Sequence, residues 1–277
     1  MRVRRYPNLA LYLVLLMLVF LAAYPMIFML SNALKDGLQY TANPFSLVFS
    51  RPLGHFFVLA WQYLAPSFLR TIFIMALSVL GVIAFAMMSA YAFGRMEFFA
   101  KRFLFYTVFG LLLVPGFLTL IPLFLQIKNM GLLDNYWALI LPYIAGGQAF
   151  AIFVFRTFVA GLPNELFESA RLDGANELQM FLRIVVPLSV PIMITIALLN
   201  ITGIWGDYVW PSLVLAPSQS TVAMAIANFQ PPPAIISMNV VDMQFAAYAI
   251  ASIPMIILFL LFMRYFVAGI TSGAIKM

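Results

Sequence analysis

The chain has 277 residues, 65% of them hydrophobic and 9% charged, with a formal net charge of +6. Soluble domains are roughly a quarter charged, so an ordinary soluble enzyme or binding module is excluded, and 1–277 reads as one all-α membrane domain. Cysteine is absent, which rules out disulfides and thiolate metal sites.

Six uncharged runs supply candidate spans, at 6–34, 71–94, 103–127, 135–155, 184–206 and 243–263. Each holds the ~20 residues that a helix needs to cross the hydrocarbon core. Backbone groups in lipid must be paired within the segment, so the runs are expected to be helices. Period-2 alternation is absent, which argues against a β-barrel. The first run is too long for the apolar core of a signal peptide and reads as an ordinary span. A further uncharged run, 208–241, contains Pro211, Pro217 and Pro231-Pro232-Pro233. Its prolines forbid a regular helix throughout, leaving an outer loop with a short helix near 221–229, or a re-entrant segment.

Lysine and arginine set the orientation. With the N-terminus inside, eleven of the fifteen fall on the cytoplasmic side, among them Arg95, Lys101, Arg102 and Arg156. Both termini are then cytoplasmic, and Arg95, Lys101 and Arg102 read as positive-inside anchors, as do Arg2, Arg4 and Arg5. Long outer loops follow at 35–69 and 206–243, and a long inner loop at 156–186. The positive charge follows topology, and nothing points to nucleic acid.

The inner loop carries the most chemistry. Pro163 suits a helix start, and 163–173 places Leu162, Leu166, Phe167 and Ala170 on one side, with Asn164, Glu165, Glu168 and Arg171 on the other. Gly174 can take the left-handed turn that ends a helix. Asn176 can cap the next one, with Gln179 in capping-box position. The second helix carries Phe181 and Ile184 and enters the membrane near Pro187 and Pro191. Two readings follow from the residues alone: a helix–turn–helix elbow that docks a partner, or an amphipathic helix lying on lipid. Glu165, Glu168 and Asp173 weigh against the second, because anionic leaflets repel them.

No Gly-x-x-x-x-Gly-Lys-Ser/Thr occurs, so this chain has no phosphate-binding loop for ATP. The six apolar cores hold no carboxylate or histidine, which disfavours an ion-coupled carrier. No His/Asp/Glu cluster has metal-ligand spacing, and His55 reads as a loop residue. A solute path is expected where polar and aromatic groups interrupt the spans: Gly146-Gly147-Gln148, then Asn200, Thr202, Trp205, Asp207 and Tyr208. Sugars suit such a set, since hydroxyls pair with amides and carboxylates while C–H faces pack on rings. The glycines also fit plain helix packing, and Trp205, Tyr208 and Trp210 fit an interfacial belt.

The segment Glu168-Ser-Ala170-Arg-Leu-Asp173-Gly174-Ala175, followed by Phe181, Ile184, Pro187 and Pro191, resembles the "EAA" loop of ABC importer permeases, with Ser169 departing from the middle Ala. Tyr24-Pro-Met-Ile-Phe-Met-Leu-Ser-Asn-Ala-Leu-Lys35, Val114-Pro-Gly, Leu120-Ile-Pro-Leu-Phe and Trp205-Gly-Asp-Tyr-Val-Trp-Pro211 look like further stretches of the carbohydrate-type permeases. The tail Val267-Ala-Gly-Ile-Thr-Ser-Gly273-Ala-Ile-Lys276 is similar to that of the smaller maltose-type permease subunit. The resemblance implies a type I importer permease in a bacterial or archaeal cytoplasmic membrane. It implies a homologous permease partner, two ATPase subunits that bind ATP and Mg, an extracytoplasmic solute-binding protein, and a sugar as cargo. It gives Glu165, Glu168, Ala170, Asp173, Gly174, Phe181, Ile184 and Pro187 to ATPase coupling. It also gives the Pro231-Pro232-Pro233 loop to the binding protein, and Gly273 and Lys276 in the tail 268–277 to the ATPase pair. The rival readings are another solute, such as glycerol phosphate or a peptide, an ion-coupled carrier, or a membrane scaffold.

Overall fold

The computed structural model describes residues 9–35, 37–47, 54–229 and 240–274, with backbone only at 240, 242 and 264–274. Pro231, Pro232, Pro233 and Lys276 lie outside the described residues. Every described element is helical: α1 (Leu9–Asn32), α2 (Gly37–Ala42), α3 (His55–Arg95), α4 (Lys101–Gly110), α5 (Gly116–Asn129), α6 (Trp137–Ala160), α7 (Asn164–Leu172), α8 (Glu177–Met180), α9 (Val186–Leu188), α10 (Val190–Gly206), α11 (Val209–Val214), α12 (Val222–Ala227) and α13 (Val240–Ala274). Among these residues, four helices are long and apolar enough to cross a membrane, and two bent pairs bring the number to six if each pair is one span.

Two of the expected helical runs are each broken into a bent pair. Run 103–127 breaks between α4 and α5, which meet at 102°. Val114 precedes a proline and is extended there, at φ −83° and ψ 115°, because the proline ring disfavours the helical region for its predecessor. Run 184–206 bends by 71° at Ser189, between α9 and α10. Pro187 and Pro191 each lack the N–H that would continue the ladder, and residues Phe181–Val185 form a π turn just before the bend.

α3 is longer than its uncharged run. It begins at His55 rather than at 71, and its 41 residues extend about 62 Å at 1.5 Å per residue. The charge at Arg70 therefore interrupts the apolar run but not the helix.

The packing divides into two units, 1–66 with 228–256, and 67–227 with 257–277. In the first unit, α1 is apolar all round, and none of its most hydrophobic window is buried. Beyond its end, Lys35 is wholly buried and donates to Asn32 Oδ1 (2.8 Å), Pro44 O (2.9 Å) and Asn43 O (3.3 Å). Its three N–H bonds are thereby satisfied, as burial of an ammonium demands.

Among the described residues, the second unit shows two buried apolar clusters. One joins Ala86, Tyr91, Phe155, Phe167, Met180 and Ile196. The other joins Ile74, Ile127, Leu139, Trp210, Val214 and Leu215. The segment after Gly206 feeds this second core through Trp210, whose Nε1 donates to Ala138 O at 2.9 Å. Trp210 is thus a core residue and not a belt residue. The short helix expected near 221–229 is α12, pinned where Val222 N donates to Thr71 Oγ1 at 2.9 Å.

Candidate functional site

The elbow is built by local signals and fixed by distant ones. Pro163 sits at the N-cap of α7, one residue before the helix that it was expected to begin. Gly174 has φ +82°, the left-handed turn expected of it. Ala175 N donates to Ala170 O at 2.9 Å and closes the end of α7. Asn176 and Gln179 complete a reciprocal capping box for α8, with Gln179 N to Asn176 Oδ1 at 2.9 Å and Asn176 N to Gln179 Oε1 at 3.0 Å. Phe167, Met180 and Val185 are buried beneath the elbow, with Ala170, Phe181 and Ile184 packed against them.

Its outer surface is mixed. Glu165, Glu168, Asp173 and Gly174 are exposed, as is Pro187. Leu172, beside the hinge, is 90% exposed. Leu166, expected on the same side as Phe167, is also exposed, which leaves Phe167 as the one buried residue of α7.

Arg95 and Tyr91, at the end of α3, hold the elbow in place. Arg95 Nε donates to Val159 O at 2.9 Å, its Nη1 to Asn164 Oδ1 at 2.6 Å, and its Nη2 to Leu162 O. The guanidinium also lies 4.2 Å from the Phe167 ring centroid. Tyr91 Oη donates to Glu177 Oε2 at 2.5 Å, and its ring meets Phe181 at 5.5 Å. Arg171 completes the set against Glu177 Oε1 at 3.3 Å. Arg95, expected only as a positive-inside anchor, thus ties α3 to the end of α6 and the start of α7. Tyr91 and Glu177 carried no sequence signal, because their contact spans 86 positions.

A groove of about 330 Å³ lies between α6 and α10 and is lined by Tyr143, Gly146, Gly147, Asn200 and Gly203. Gly147 is a packing glycine: a Cβ there would meet Val82 at 2.7 Å and Asn200 Oδ1 at 2.8 Å. Gly146 and Gly203 have nothing within 4 Å of that position and open onto the groove. Asn200 donates to Ile196 O (2.9 Å) and Thr202 to Leu198 O (2.8 Å), both within α10. Gln148 does not line this groove and donates to Ile144 O at 3.0 Å.

Asp207 caps α11, accepting from Val209 N (3.0 Å) and Trp210 N (3.2 Å) at Oδ1. Its Oδ2 accepts from Tyr143 Oη at 2.9 Å. Trp205 is buried edge-on to Phe68 at 5.5 Å, and Tyr208 is exposed. The expected path residues thus divide. Asn200 lines the groove, and Asp207 closes one end of it through Tyr143. Trp205 belongs to the packing. No three His, Asp or Glu side chains converge as metal ligands among the described residues. Gly273 lies within α13.

Multiple apolar helices, two of them broken, with a polar elbow packed at their ends, mark a multi-pass membrane protein. Residues 82–272 match the family described as the binding-protein-dependent transport system inner membrane component, and the chain belongs to that family. It is 30% identical over 269 residues to the arabinooligosaccharides transport system permease protein AraQ of Halalkalibacterium halodurans, covering 94% of this chain and 93% of that one. It is 30% identical to the melibiose/raffinose/stachyose import permease protein MelC of Bacillus subtilis (91% of each chain). It is 28% identical to the trehalose/maltose transport system permease protein MalG of Thermococcus litoralis (94% of each). In fold it matches a chain of a bacterial ABC transporter that imports alginate, with TM-score 0.83 and 22% identity over 94% of this chain and 99% of that one. The chain is a permease subunit of a binding-protein-dependent ABC importer.

Proposed function

We propose that this permease conducts a sugar or oligosaccharide across a bacterial cytoplasmic membrane, driven by a partner ATPase pair that docks on the α7–α8 elbow. The observation that carries the coupling role is the elbow itself. An exposed Leu172 stands beside a left-handed glycine hinge amid carboxylates, on a base pinned to α3. An apolar anchor within a polar rim is how a docking surface gains both burial and register. ATP and Mg would be held by the ATPase subunits, with the EAA-like residues Glu165, Glu168, Ala170, Asp173, Gly174, Phe181, Ile184 and Pro187 passing their motion into α10. The sugar assignment is supported by the oligosaccharide names of several relatives. A groove of open glycines with Tyr143, Asn200 and Asp207 nearby fits a polyhydroxyl cargo.

The remaining assembly follows from this reading: six spans with both termini cytoplasmic, a homologous permease partner, and an extracytoplasmic binding protein that delivers the sugar. The Pro231-Pro232-Pro233 loop would face that protein, and the Gly273 and Lys276 tail would face the ATPase pair. Affinity purification from the native membrane, with mass spectrometry of retained subunits, tests it. An ATPase and a second permease are expected to stay bound, and Leu172→Ala is expected to release the ATPase first. A chain that purifies alone from several mild detergents would overturn it.

A further inference from the structure

Another cavity lies near the start of α4, apart from the groove. It measures about 640 Å³ and opens where the α3–α4 turn meets the last turns of α6. Its charged lining is Glu97, Lys101, Arg102 and Arg156. Arg156 stacks over Phe105, with its guanidinium carbon 4.7 Å from the ring centroid, and Arg102 lies 6.0 Å from that of Tyr106. Arg156 Nε is shut off from solvent and has no acceptor. Lys101 is paired with Glu97 at 2.9 Å, but the carboxylate is 89% exposed, so the pair contributes little. Three cations thus face one solvated carboxylate, and a buried guanidinium donor lacks the acceptor that burial calls for.

Planar guanidinium forks suit phosphate oxygens. The apolar rim shows where such a phosphate would come from. Phe99, in the α3–α4 turn, is 96% exposed, and Phe103, in the first turn of α4, is 71% exposed. Large aromatic side chains presented this way beside a cationic pocket fit acyl chains at a bilayer surface. We propose that this pocket holds the phosphate of an anionic phospholipid from the leaflet on the elbow's side. The proposal rests on the orientation given above, with the α3–α4 turn cytoplasmic. The bound lipid would brace the end of α6, whose last residues lead directly into the α7 arm.

The test is native mass spectrometry of the whole transporter, purified in neutral detergent and titrated with phosphatidylglycerol or phosphatidylcholine. Wild type is expected to retain phosphatidylglycerol in preference to phosphatidylcholine. The Arg102→Gln and Arg156→Gln double variant should retain it about five-fold less for each cation removed. Should the double variant fail to assemble, Arg102→Gln alone, at an exposed side chain, gives the single step. Equal retention of the two lipids, or no change in the variants, would overturn the proposal. So would saturation of the pocket by glycerol 3-phosphate with no lipid retained, which would give the site to a free phosphate. The same spectra show whether the ATPase stays attached, so loss of the coupling reading is seen separately from loss of the lipid.

Discussion

At the elbow, polar side chains reach across the chain, whereas at the groove they mostly turn back on their own helices. Arg95 joins α3 to the end of α6 and the start of α7, and Tyr91 joins α3 to α8. Asn200, Thr202 and Thr195 each donate to the carbonyl four residues earlier in α10. Across the groove, the side-chain link is Tyr143 to Asp207, at one end. At the elbow, these side-chain bonds tie α3, α6, α7 and α8 to one another. Walls that meet through a glycine contact can part at the cost of the Tyr143–Asp207 bond alone. Under the proposed function, the first would serve as a stiff handle and the second as a seam that opens, with partner binding shifting the balance between two states. The 71° bend at Ser189 lies between them.

Removing the handle's pin should have the largest effect. Arg95→Ala deletes bonds to Val159 O, Leu162 O and Asn164 Oδ1 together with the stacking on Phe167. Discounted for its partial exposure, the loss is expected at about 2–3 kcal/mol. Thermal unfolding of the purified complex measures it, and transport should fall with it. Arg95→Lys keeps the charge but not the fork, and should recover only part. Full transport in Arg95→Ala would erase the contrast between stiff elbow and loose seam.

Next is the seam's contact. Gly147→Ala would place a methyl 2.7 Å from Val82 and 2.8 Å from Asn200, and overpacking of that kind costs about 1–3 kcal/mol. Gly146→Ala meets nothing within 4 Å, so stability should hold while the groove narrows. Stability by thermal melt and sugar uptake on the paired variants separate the two roles. Equal losses of stability would show that the groove is packed and not open.

At the hinge, Gly174→Val tests conformation against bulk. A Cβ there has nothing within 4 Å, so the positive φ is the main penalty, of about 1–2 kcal/mol. Membrane insertion should be normal and sugar-stimulated ATP hydrolysis uncoupled. Gly174→Asn, which tolerates the left-handed region, should be milder. Equal defects in Val and Asn would put the effect on the docking surface rather than on the turn.

The elbow's turn and cap were legible in the sequence because each is encoded within four residues, Gly174 by its conformation and Asn176 with Gln179 by reciprocal bonds. Arg95 was legible only as a charge. Its acceptors lie 64 to 69 positions away, and no local pattern announces them. Uncharged runs located the membrane segments but not their shape. Charge marks where a helix becomes costly in lipid, so it missed the continuation of α3 through Arg70. It also missed the breaks at Val114-Pro115 and Ser189, where proline acts on the backbone without altering hydrophobicity. In the groove, residue type did not predict direction. Gln148 and Asn200 are both amides interrupting a span, yet only Asn200 lines the groove.

The smallest effect is expected at the one bond that does cross the seam. Tyr143→Phe removes the 2.9 Å donor to Asp207 Oδ2 but leaves Oδ1 capping Val209 N and Trp210 N. The α11 cap therefore survives, and one hydrogen bond of about 1 kcal/mol is lost. Thermal stability should fall less than in Gly147→Ala. If the bond is a latch on the seam, its loss favours the parted state. Basal ATP hydrolysis should then rise without sugar, because one barrier to opening has gone. A melt as depressed as that of Gly147→Ala, with basal hydrolysis unchanged, would make Tyr143 and Asp207 part of the fixed packing and move the seam's opening elsewhere along α6 and α10.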